Sequence, residues 1–225
     1  MDFKDCHLTY TKINTLYKRD EKGKIMFGEY SRPEFEYLIN NKWMAFEKVD
    51  GTNVSFYWDG KELQIHGKND STNIPKHLME EMESILSIDK LRETFHVKFD
   101  ENGNEIPIIV RIYGEGYGNK IQKYGNFYNS KKCEFRVFDI KINNFWLEWN
   151  DVCDICKKLG LKTVVRYSDM TLKEAEEMVI KGFKSTISED KELIAEGLVL
   201  RPTVQLFNKM NERIMVKIKH CDYNK

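Results

Sequence analysis

The sequence predicts an α+β fold in which antiparallel strands dominate and helices lie between them. Apolar segments of strand length recur along the chain, and the turn sequences Asp59-Gly60 and Asn143-Asn144 each join two of them into a predicted hairpin. Segments with helical spacing of apolar residues separate these strands. No internal repeat, low-complexity tract or proline-rich linker divides the chain, so we expect residues 1–225 to form a single domain.

The strands are predicted from apolar alternation and from β-branched runs bounded by turn residues. They are 43–48, 54–58, 63–66, 108–113, 135–142, 145–147, 198–201 and 214–218. The helices are predicted from periodicity and from their end signals. These are a short helix opened by Ser31-Arg32-Pro33, a helix from Pro75 to about Phe95, a helix capped by Asn150 that ends at Gly160, and a helix with a Thr171/Glu174 capping box that ends at Gly182.

Composition limits the class of protein. Of the 225 residues, 41% are hydrophobic and 32% are charged, which is typical of a soluble globular domain. No apolar run approaches the length of a membrane span, so we expect no membrane association. The start, Met1 to Asp5, has no apolar signal-peptide core, and five cysteines form no regular framework. We therefore expect a cytoplasmic protein.

Charge is balanced overall but not locally. The chain has 36 basic and 36 acidic side chains, so any nucleic-acid binding must come from a local patch. Residues 111–136 contain six basic and two acidic residues with six Tyr and Phe among them. Cations suit phosphates and exposed rings suit bases. The plainer alternative is a solvated loop with core aromatics at its ends.

The first segment that could carry chemistry is 47–53, Glu-Lys-Val-Asp-Gly-Thr-Asn. Lys48 ends a predicted strand and lies beside Asp50-Gly51, where a glycine leaves room for a ligand. A nucleophilic lysine must be neutral, although the pKa of a free lysine is ~10.4, so nearby positive charge or a metal is required. Taken alone, the pattern favours a plain hairpin turn with a surface lysine.

Two further segments suggest a nucleotide pocket. Residues 111–118 place Glu115 among three glycines at a predicted strand end, where a carboxylate could accept a hydrogen bond from a ribose hydroxyl. In 135–140, strand alternation predicts Arg136 and Phe138 on one face and Val137 and Asp139 on the other. Phe138 could stack on a purine, or it could be a core residue.

The last two segments lie near the end of the chain. Glu196 precedes an apolar strand and could hold a divalent cation, or it could be a solvated strand-end glutamate. Lys217 and Lys219 alternate with apolar residues and therefore point the same way from one strand. If that face is enclosed, two like charges require an anion, for which a triphosphate is the obvious candidate.

These five segments occur in the order and rough spacing of the covalent nucleotidyltransferases, the superfamily of ligases and capping enzymes. Within it the sequence most resembles the phage-type RNA ligases related to the nick-sealing RNA ligase family. The likeness also includes Gly28 to Ser31 and Lys120 to Lys123. It implies a nucleotidyltransferase (adenylation) fold with antiparallel sheets flanked by helices. It also implies a bare catalytic core, with no appended oligonucleotide-binding barrel and no C-terminal helical domain.

The resemblance assigns roles to the residues around the lysine and the nucleotide. Lys48 resembles the adenylated lysine of the family, and Glu47 resembles its adenine-pocket glutamate. Asn53 resembles the asparagine that helps the end-joining steps. Glu115 resembles the ribose-binding glutamate, and Phe138 resembles the ring that stacks on adenine.

The remaining roles concern charge. Glu196 resembles the metal-associated glutamate, and Lys217 and Lys219 resemble the pair that binds the ATP phosphates. Lys68 holds the place of an arginine that the family has after the second strand, where this chain reads His66-Gly67-Lys68-Asn69-Asp70. Lysine keeps the charge but lacks the bidentate fork of arginine, so 5′-phosphate binding is the function that this difference affects.

The resemblance implies a monomeric ATP-dependent RNA ligase that uses Mg2+ or Mn2+. It would join 5′-phosphate and 3′-hydroxyl ends of nucleic acid, RNA first of all, through a lysyl-AMP and an adenylated 5′ end. One alternative keeps the chemistry and changes the acceptor, as in a minimal DNA ligase or an RNA–DNA joining enzyme. Another is a nucleic-acid-binding protein with an inactive ligase fold, against which the intact lysine, glutamates and lysine pair argue.

Overall fold

A computed structural model describes residues 10–68, 73–96 and 98–224. The strands within these ranges are β1 (Asn14–Thr15), β2 (Tyr17–Arg19), β3 (Ile25–Tyr30), β4 (Trp43–Glu47), β5 (Thr52–Trp58), β6 (Leu63–Gly67), β7 (Val110–Gly118), β8 (Cys133–Ile142), β9 (Phe145–Trp146), β10 (Lys162–Thr163), β11 (Gly197–Pro202) and β12 (Val216–Lys219). The α-helices are α1 (Pro33–Tyr37), α2 (Lys76–Ile85), α3 (Ile88–Phe95), α4 (Gly125–Tyr128), α5 (Trp149–Leu159) and α6 (Leu172–Lys181). A 3₁₀ turn covers His220–Asp222.

The chain divides into two compact units. Of the described residues, the mid-chain unit contains Tyr10 and those within 50–163, and the split unit contains 11–49 and 164–224. In the part of the chain that the structure describes, no helix combines the length and the apolar character needed to cross a membrane.

The mid-chain unit is built on one sheet with strand order β10-β8-β7-β5-β6, and β9 pairs with β8. All of these pairs are antiparallel except β10 with β8. Helices α2 and α5 pack on this sheet. Fully buried side chains fill that interface; examples are Val54, Phe56, Ile112, Leu78 and Val152. Burial of such side chains contributes about 1.5–3 kcal/mol each, which makes this layer the main stabilising contact of the unit.

The split unit is built on a sheet of order β1-β12-β11-β4, antiparallel except for β1 with β12. Its core consists of buried apolar residues from the sheet, the β2–β3 hairpin, α1 and α6, including Trp43, Leu198, Val216, Leu172 and Phe35. The N-terminus of α6 has the predicted capping box: Thr171 accepts from the Glu174 backbone N–H, and Glu174 accepts from the Thr171 N–H.

Most predicted elements are confirmed, and two helix boundaries differ. The predicted helix from Pro75 to Phe95 is interrupted, because Leu86 is extended and the Ser87 side chain caps α3 by accepting from the N–H of Lys90. The predicted cap at Asn150 is wrong. The N-cap of α5 is Glu148, since the helix already includes the buried Trp149.

The glycine-rich segment is not a strand end, as the sequence suggested, but lies inside β7. An added Cβ on Gly114 would overlap Phe135 and the Arg136 carbonyl, and one on Gly116 would overlap Leu78 of α2. Gly51 is constrained in the same way by the carbonyl of Gly116. The structure therefore requires these glycines for close packing of its own strands and helix.

We predict that Gly114→Ala lowers the free energy of unfolding by about 2 kcal/mol, because the new methyl group must displace a backbone carbonyl and a buried ring. Urea unfolding measures this. Gly103→Ala is the control: its turn has φ of +80° and open space around the Cβ, so only a backbone cost of about 1 kcal/mol is expected. A Gly114 variant as stable as wild type would contradict the packing argument.

Candidate active site

Lys48 directly follows a strand that is buried along its whole length. All five residues of β4 are buried, and the backbone N–H of Lys48 donates to the carbonyl of Gly197 at 2.9 Å. This bond fixes the chain just after β4 against the start of β11. The Lys48 side chain is 21% exposed. Its amine is therefore held in place by the sheet and remains within reach of a ligand.

The Glu196 carboxylate bridges two lysines. Its Oε2 lies 2.6 Å from Lys48 Nζ, and its Oε1 lies 2.7 Å from Lys219 Nζ. The arrangement follows from strand register, because Gly197, the neighbour of Glu196, pairs with Lys219 across β11 and β12. Partial burial opposes the charged form of Lys219, but the hydrogen bond and the negative charge of Glu196 prevail and raise its pKa.

Lys217 lies two residues before Lys219 on β12, on the same side of the strand and half-buried. Residues 48, 196, 217 and 219 thus combine three cations with one carboxylate. Partly buried charge of one sign is costly unless a counter-ion is present. This group of residues, called the ion cluster below, therefore favours an anion with several oxygens, as a polyphosphate has.

Across the described ranges, no group of three or more His, Cys, Asp or Glu side chains is arranged to hold a metal ion. Glu196 alone could supply one carboxylate ligand from the ion cluster. One carboxylate suffices for Mg2+ or Mn2+ if phosphate oxygens of the substrate and water supply the other ligands, an arrangement that is common for Mg2+.

Glu47 is the last residue of β4, directly before Lys48, and the residue is 2% exposed. Consecutive strand residues point to opposite faces, and Glu47 lies opposite the core residue Leu198. Its Oε1 accepts from Ser185 Oγ at 2.5 Å. Its Oε2 accepts from the Tyr167 hydroxyl at 3.0 Å, and from the Thr186 hydroxyl at 2.8 Å and backbone N–H at 3.2 Å.

This network makes Glu47 an anchor for the loop at 185–186. Burial and the adjacent Glu47 charge raise the pKa of Tyr167, so its hydroxyl stays a donor. A buried carboxylate is tolerated only when its lone pairs are satisfied, and here four donors satisfy them. The adenine contact that the resemblance assigns to Glu47 stays a prediction.

In the mid-chain unit, Asn53 and Glu115 are directly opposite each other on β5 and β7. Opposite residues of an antiparallel pair share a face, with their Cβ atoms about 5 Å apart. Arg136 of β8 continues the row on the other side of Glu115. The structure thus brings two predicted site residues together, both half-buried, on one face of the sheet.

Phe138 lies at an irregularity of β8. Gly114 pairs with Val137 while Tyr113 pairs with Asp139, so Phe138 is an extra residue, as in a β-bulge. The predicted alternation, with Asp139 on the face of Val137, is therefore wrong at this point. Tyr10 contacts both Phe138 and Asp139. Its ring centroid lies 5.0 Å from that of Phe138 in an edge-on arrangement, and its hydroxyl donates to Asp139 Oδ2 at 2.6 Å. The half-buried Phe138 ring is held by Tyr10, and its stacking role stays a prediction.

Lys68 is exposed and directly follows β6. Gly67 pairs with Val54, so Lys68 comes next to the register position of Asn53. The next two residues of this segment, Asn69 and Asp70, lie outside the described residues. The phosphate-binding role of Lys68 stays a prediction.

Sequence reasoning missed several residues of these networks. Tyr167, Ser185 and Thr186 lie 120 to 139 residues from Glu47, in segments without periodic signals. Asp139 was assigned to the wrong face because a bulge has no sequence signature there. His220, the residue after Lys219, has Nδ1 2.7 Å from the Val179 carbonyl of α6.

The fold is that of RNA ligases of the nucleotidyltransferase type. A mutant Naegleria gruberi RNA ligase with ATP and Mn matches with a TM-score of 0.58 at 19% identity, over 85% of this chain and 53% of that chain. A Naegleria gruberi RNA ligase with PPi gives a TM-score of 0.59 at 18% identity, over 95% of this chain and 62% of that chain. In these comparisons the chain spans 53% to 62% of the length of the solved ligases.

The sequence profile of the RNA ligase family matches residues 41–219. This stretch covers most of the chain and contains the ion cluster, so the protein belongs to the RNA ligase family. No curated protein matches the sequence.

We predict that Glu47→Ala lowers the free energy of unfolding by roughly 3 kcal/mol, because Tyr167, Ser185 and Thr186 lose their acceptor. Glu47→Gln should cost less, since one amide oxygen still accepts. Urea unfolding measures both, with Glu192→Ala as the control because the Glu192 side chain is 84% exposed. If Glu47→Ala unfolds at the same urea concentration as the control, Glu47 is not an anchor.

Proposed function

We propose that this protein seals RNA strands with ATP and that Lys48 carries AMP in a covalent lysyl-AMP intermediate. The observation that carries the proposal is the ion cluster in a chain of the RNA ligase family: Glu196 contacts the amines of Lys48 and Lys219, and Lys217 lies on the same side of β12 as Lys219. The complexes of the N. gruberi ligase with ATP and Mn and with PPi support ATP as the nucleotide, because the fold is shared.

In the first step, Lys48 Nζ attacks the α-phosphorus of ATP. The bond from that phosphorus to the bridging oxygen breaks, and its electron pair leaves with pyrophosphate. The attacking nitrogen gives its proton to solvent. Its lone pair must face phosphorus, while one of its remaining N–H groups can still donate to Glu196. Lys217 and Lys219 would hold the phosphate oxygens and stabilise the charge of the leaving pyrophosphate.

Glu196 is the proposed ligand of Mg2+ or Mn2+. The divalent ion, when bound, would neutralise phosphate charge. A cation on Glu196 Oε2 would be repelled by the positive charge of Lys48, which lies 2.6 Å from the same oxygen, so cation binding and weakening of the Lys48 contact are expected to be linked. The other oxygen of Glu196 could keep Lys219 in place at 2.7 Å.

In the second step, a 5′-phosphate oxygen attacks the phosphorus of lysyl-AMP, and the phosphorus–nitrogen bond breaks with return of the electron pair to Lys48. In the third step, a 3′-hydroxyl attacks the activated 5′-phosphorus, loses its proton and expels AMP. Both are displacements that depend on positioning. Asn53 is proposed to act in these steps, and Lys68 is proposed to bind the 5′-phosphate.

The adenosine contacts are proposed for residues that the family resemblance selects. Glu115 would accept from the ribose, Phe138 would stack on adenine, and Glu47 would contact the adenine pocket. The shared face of Glu115 and Asn53 supports the first of these assignments. For Glu47, whose carboxylate is fully hydrogen-bonded, an indirect contribution through the 185–186 loop is the mode that its contacts support.

We predict that the protein, incubated with ATP and Mg2+, gains the mass of one AMP on Lys48. Lys48→Ala should abolish this adduct, because the proposed nucleophile is lost and the remaining amine on Glu196, that of Lys219, lies on the other carboxylate oxygen. Intact-mass and peptide mass spectrometry measure the adduct. Lys42→Ala is the matched control, because Lys42 lies just before β4 with its side chain 56% exposed. An adduct on Lys68, Lys217 or Lys219 would refute the assignment.

We predict that Glu196→Gln, which keeps the shape and removes the charge, raises the Mg2+ concentration for half-maximal adenylation by roughly tenfold or more, because a charged ligand is lost. Titration of Mg2+ against the rate of adduct formation measures this. Glu192→Gln should leave the titration unchanged. An unaltered Mg2+ dependence in Glu196→Gln would remove Glu196 from the metal site.

A further inference from the structure

The loop between β7 and β8 (residues 119–132, called the platform loop below) exposes two aromatic rings. Tyr124 is 42% exposed and Phe127 is 46% exposed, and their ring centroids lie 6.2 Å apart at an angle of 47°. Lys123 Nζ lies 5.1 Å from the centroid of the Tyr124 ring. Exposed rings beside a cation are suited to stack on nucleobases.

The platform loop is strongly positive in a chain of zero net charge. It contains four lysines, all exposed, and no acidic residue; they are Lys120, Lys123, Lys131 and Lys132. The formal charge of the loop is therefore +4. A local charge of this size, interleaved with exposed rings, matches a strand that presents phosphates and bases together. An acidic protein surface would satisfy the lysines but would leave the rings without matching partners.

The loop is also built to hold one shape. Ile121 and Tyr128 are almost fully buried, and an added Cβ on Gly125 would overlap the Gly118 carbonyl. Asn129 Oδ1 accepts from the backbone N–H groups of Lys131 and Lys132 at 3.0 Å each, and Asn126 Oδ1 accepts from that of Lys120 at 2.8 Å. The exposed side chains thus project from fixed backbone positions.

The backbone at Lys120 and Gln122 supports the same conclusion. Their φ values are +58° and +56°, a conformation that costs non-glycine residues of the order of 1 kcal/mol each. Such conformations persist only where surrounding contacts determine them. The loop is further tied to the segment after Lys48 by its Tyr128 hydroxyl, which lies 3.3 Å from the backbone N–H of Asp50.

We infer that the platform loop binds an unpaired stretch of the RNA substrate, with Tyr124 and Phe127 stacking on bases and the four lysines contacting phosphates. This rests on the proposed ligase function and narrows its substrate class. The rings can stack on a base only where that base is not already stacked in a duplex. The platform loop is therefore expected to bind single-stranded regions of the RNA. A fully paired nick would use the lysines alone.

The test compares binding of a single-stranded 5′-phosphorylated RNA with binding of a nicked RNA duplex by fluorescence anisotropy. Tyr124→Leu/Phe127→Leu should weaken binding of the single strand by roughly tenfold or more, and that of the nicked duplex by less than about threefold. Tyr124→Phe should bind as wild type, since the ring is kept. Tyr37→Leu, which removes an 81% exposed ring of the split unit, is the matched control.

A second variant separates rings from charge. Replacing Lys120, Lys123, Lys131 and Lys132 by alanine should weaken both RNAs and flatten the salt dependence of binding, whereas the double leucine variant should keep the wild-type slope. ATP-dependent adduct formation on Lys48 should be unchanged in all these variants, which shows that they fold. Absence of the adduct in wild type would refute the proposed function and leave the binding result to decide the platform.

Three outcomes would overturn the inference. One is single-strand binding by the double leucine variant that equals wild type. Another is an equal loss for single strand and nicked duplex, which would mean that the rings do not distinguish unpaired bases. The third is binding of an acidic polypeptide, polyglutamate of matched charge, as tight as binding of the RNA. That result would show that the loop recognises charge alone.

Discussion

The charged centre of the split unit depends on one carboxylate. Glu196 holds the amines of Lys48 and Lys219 at 2.6 and 2.7 Å. Without this carboxylate, partial burial of each lysine charge would cost free energy. The contact exists because β11 lies between β4 and β12, so the residue before β11 meets the end of one strand and the last lysine of the other. Sheet register thus sets the chemistry of the site.

The same sheet directs the adjacent residues Glu47 and Lys48 to opposite faces, where they make different contacts. Strand alternation points Lys48 into the ion cluster and Glu47 to the opposite face, where the carboxylate binds Tyr167, Ser185 and Thr186. Lys48, as the proposed nucleophile, needs a fixed position as well as an accessible one. The buried anchor on one face supplies the position, and the partly open face supplies the access.

The mid-chain unit separates its packing residues from its proposed ligand-binding residues in a similar way. Its glycines, Gly114 and Gly116, let Phe135 and Leu78 pack tightly against the sheet on the helix side. Asn53 and Glu115 lie on the other side of the same strands, since they alternate with buried neighbours. The platform loop then adds local positive charge, which a protein with equal numbers of acidic and basic residues needs in order to hold nucleic acid.

The sequence alone determined the RNA ligase family, the strands around Lys48 and Glu115, the hairpins and the capping box of α6, because these depend on residues that are close in the chain or on ordered motifs. Only the tertiary structure decided that Glu196 pairs with Lys48, that four donors surround Glu47, and that Phe138 lies at a bulge. Those contacts join residues more than a hundred positions apart or depend on a one-residue shift in strand pairing. Neither has a local pattern, since the free energy that selects them comes from packing of the whole unit.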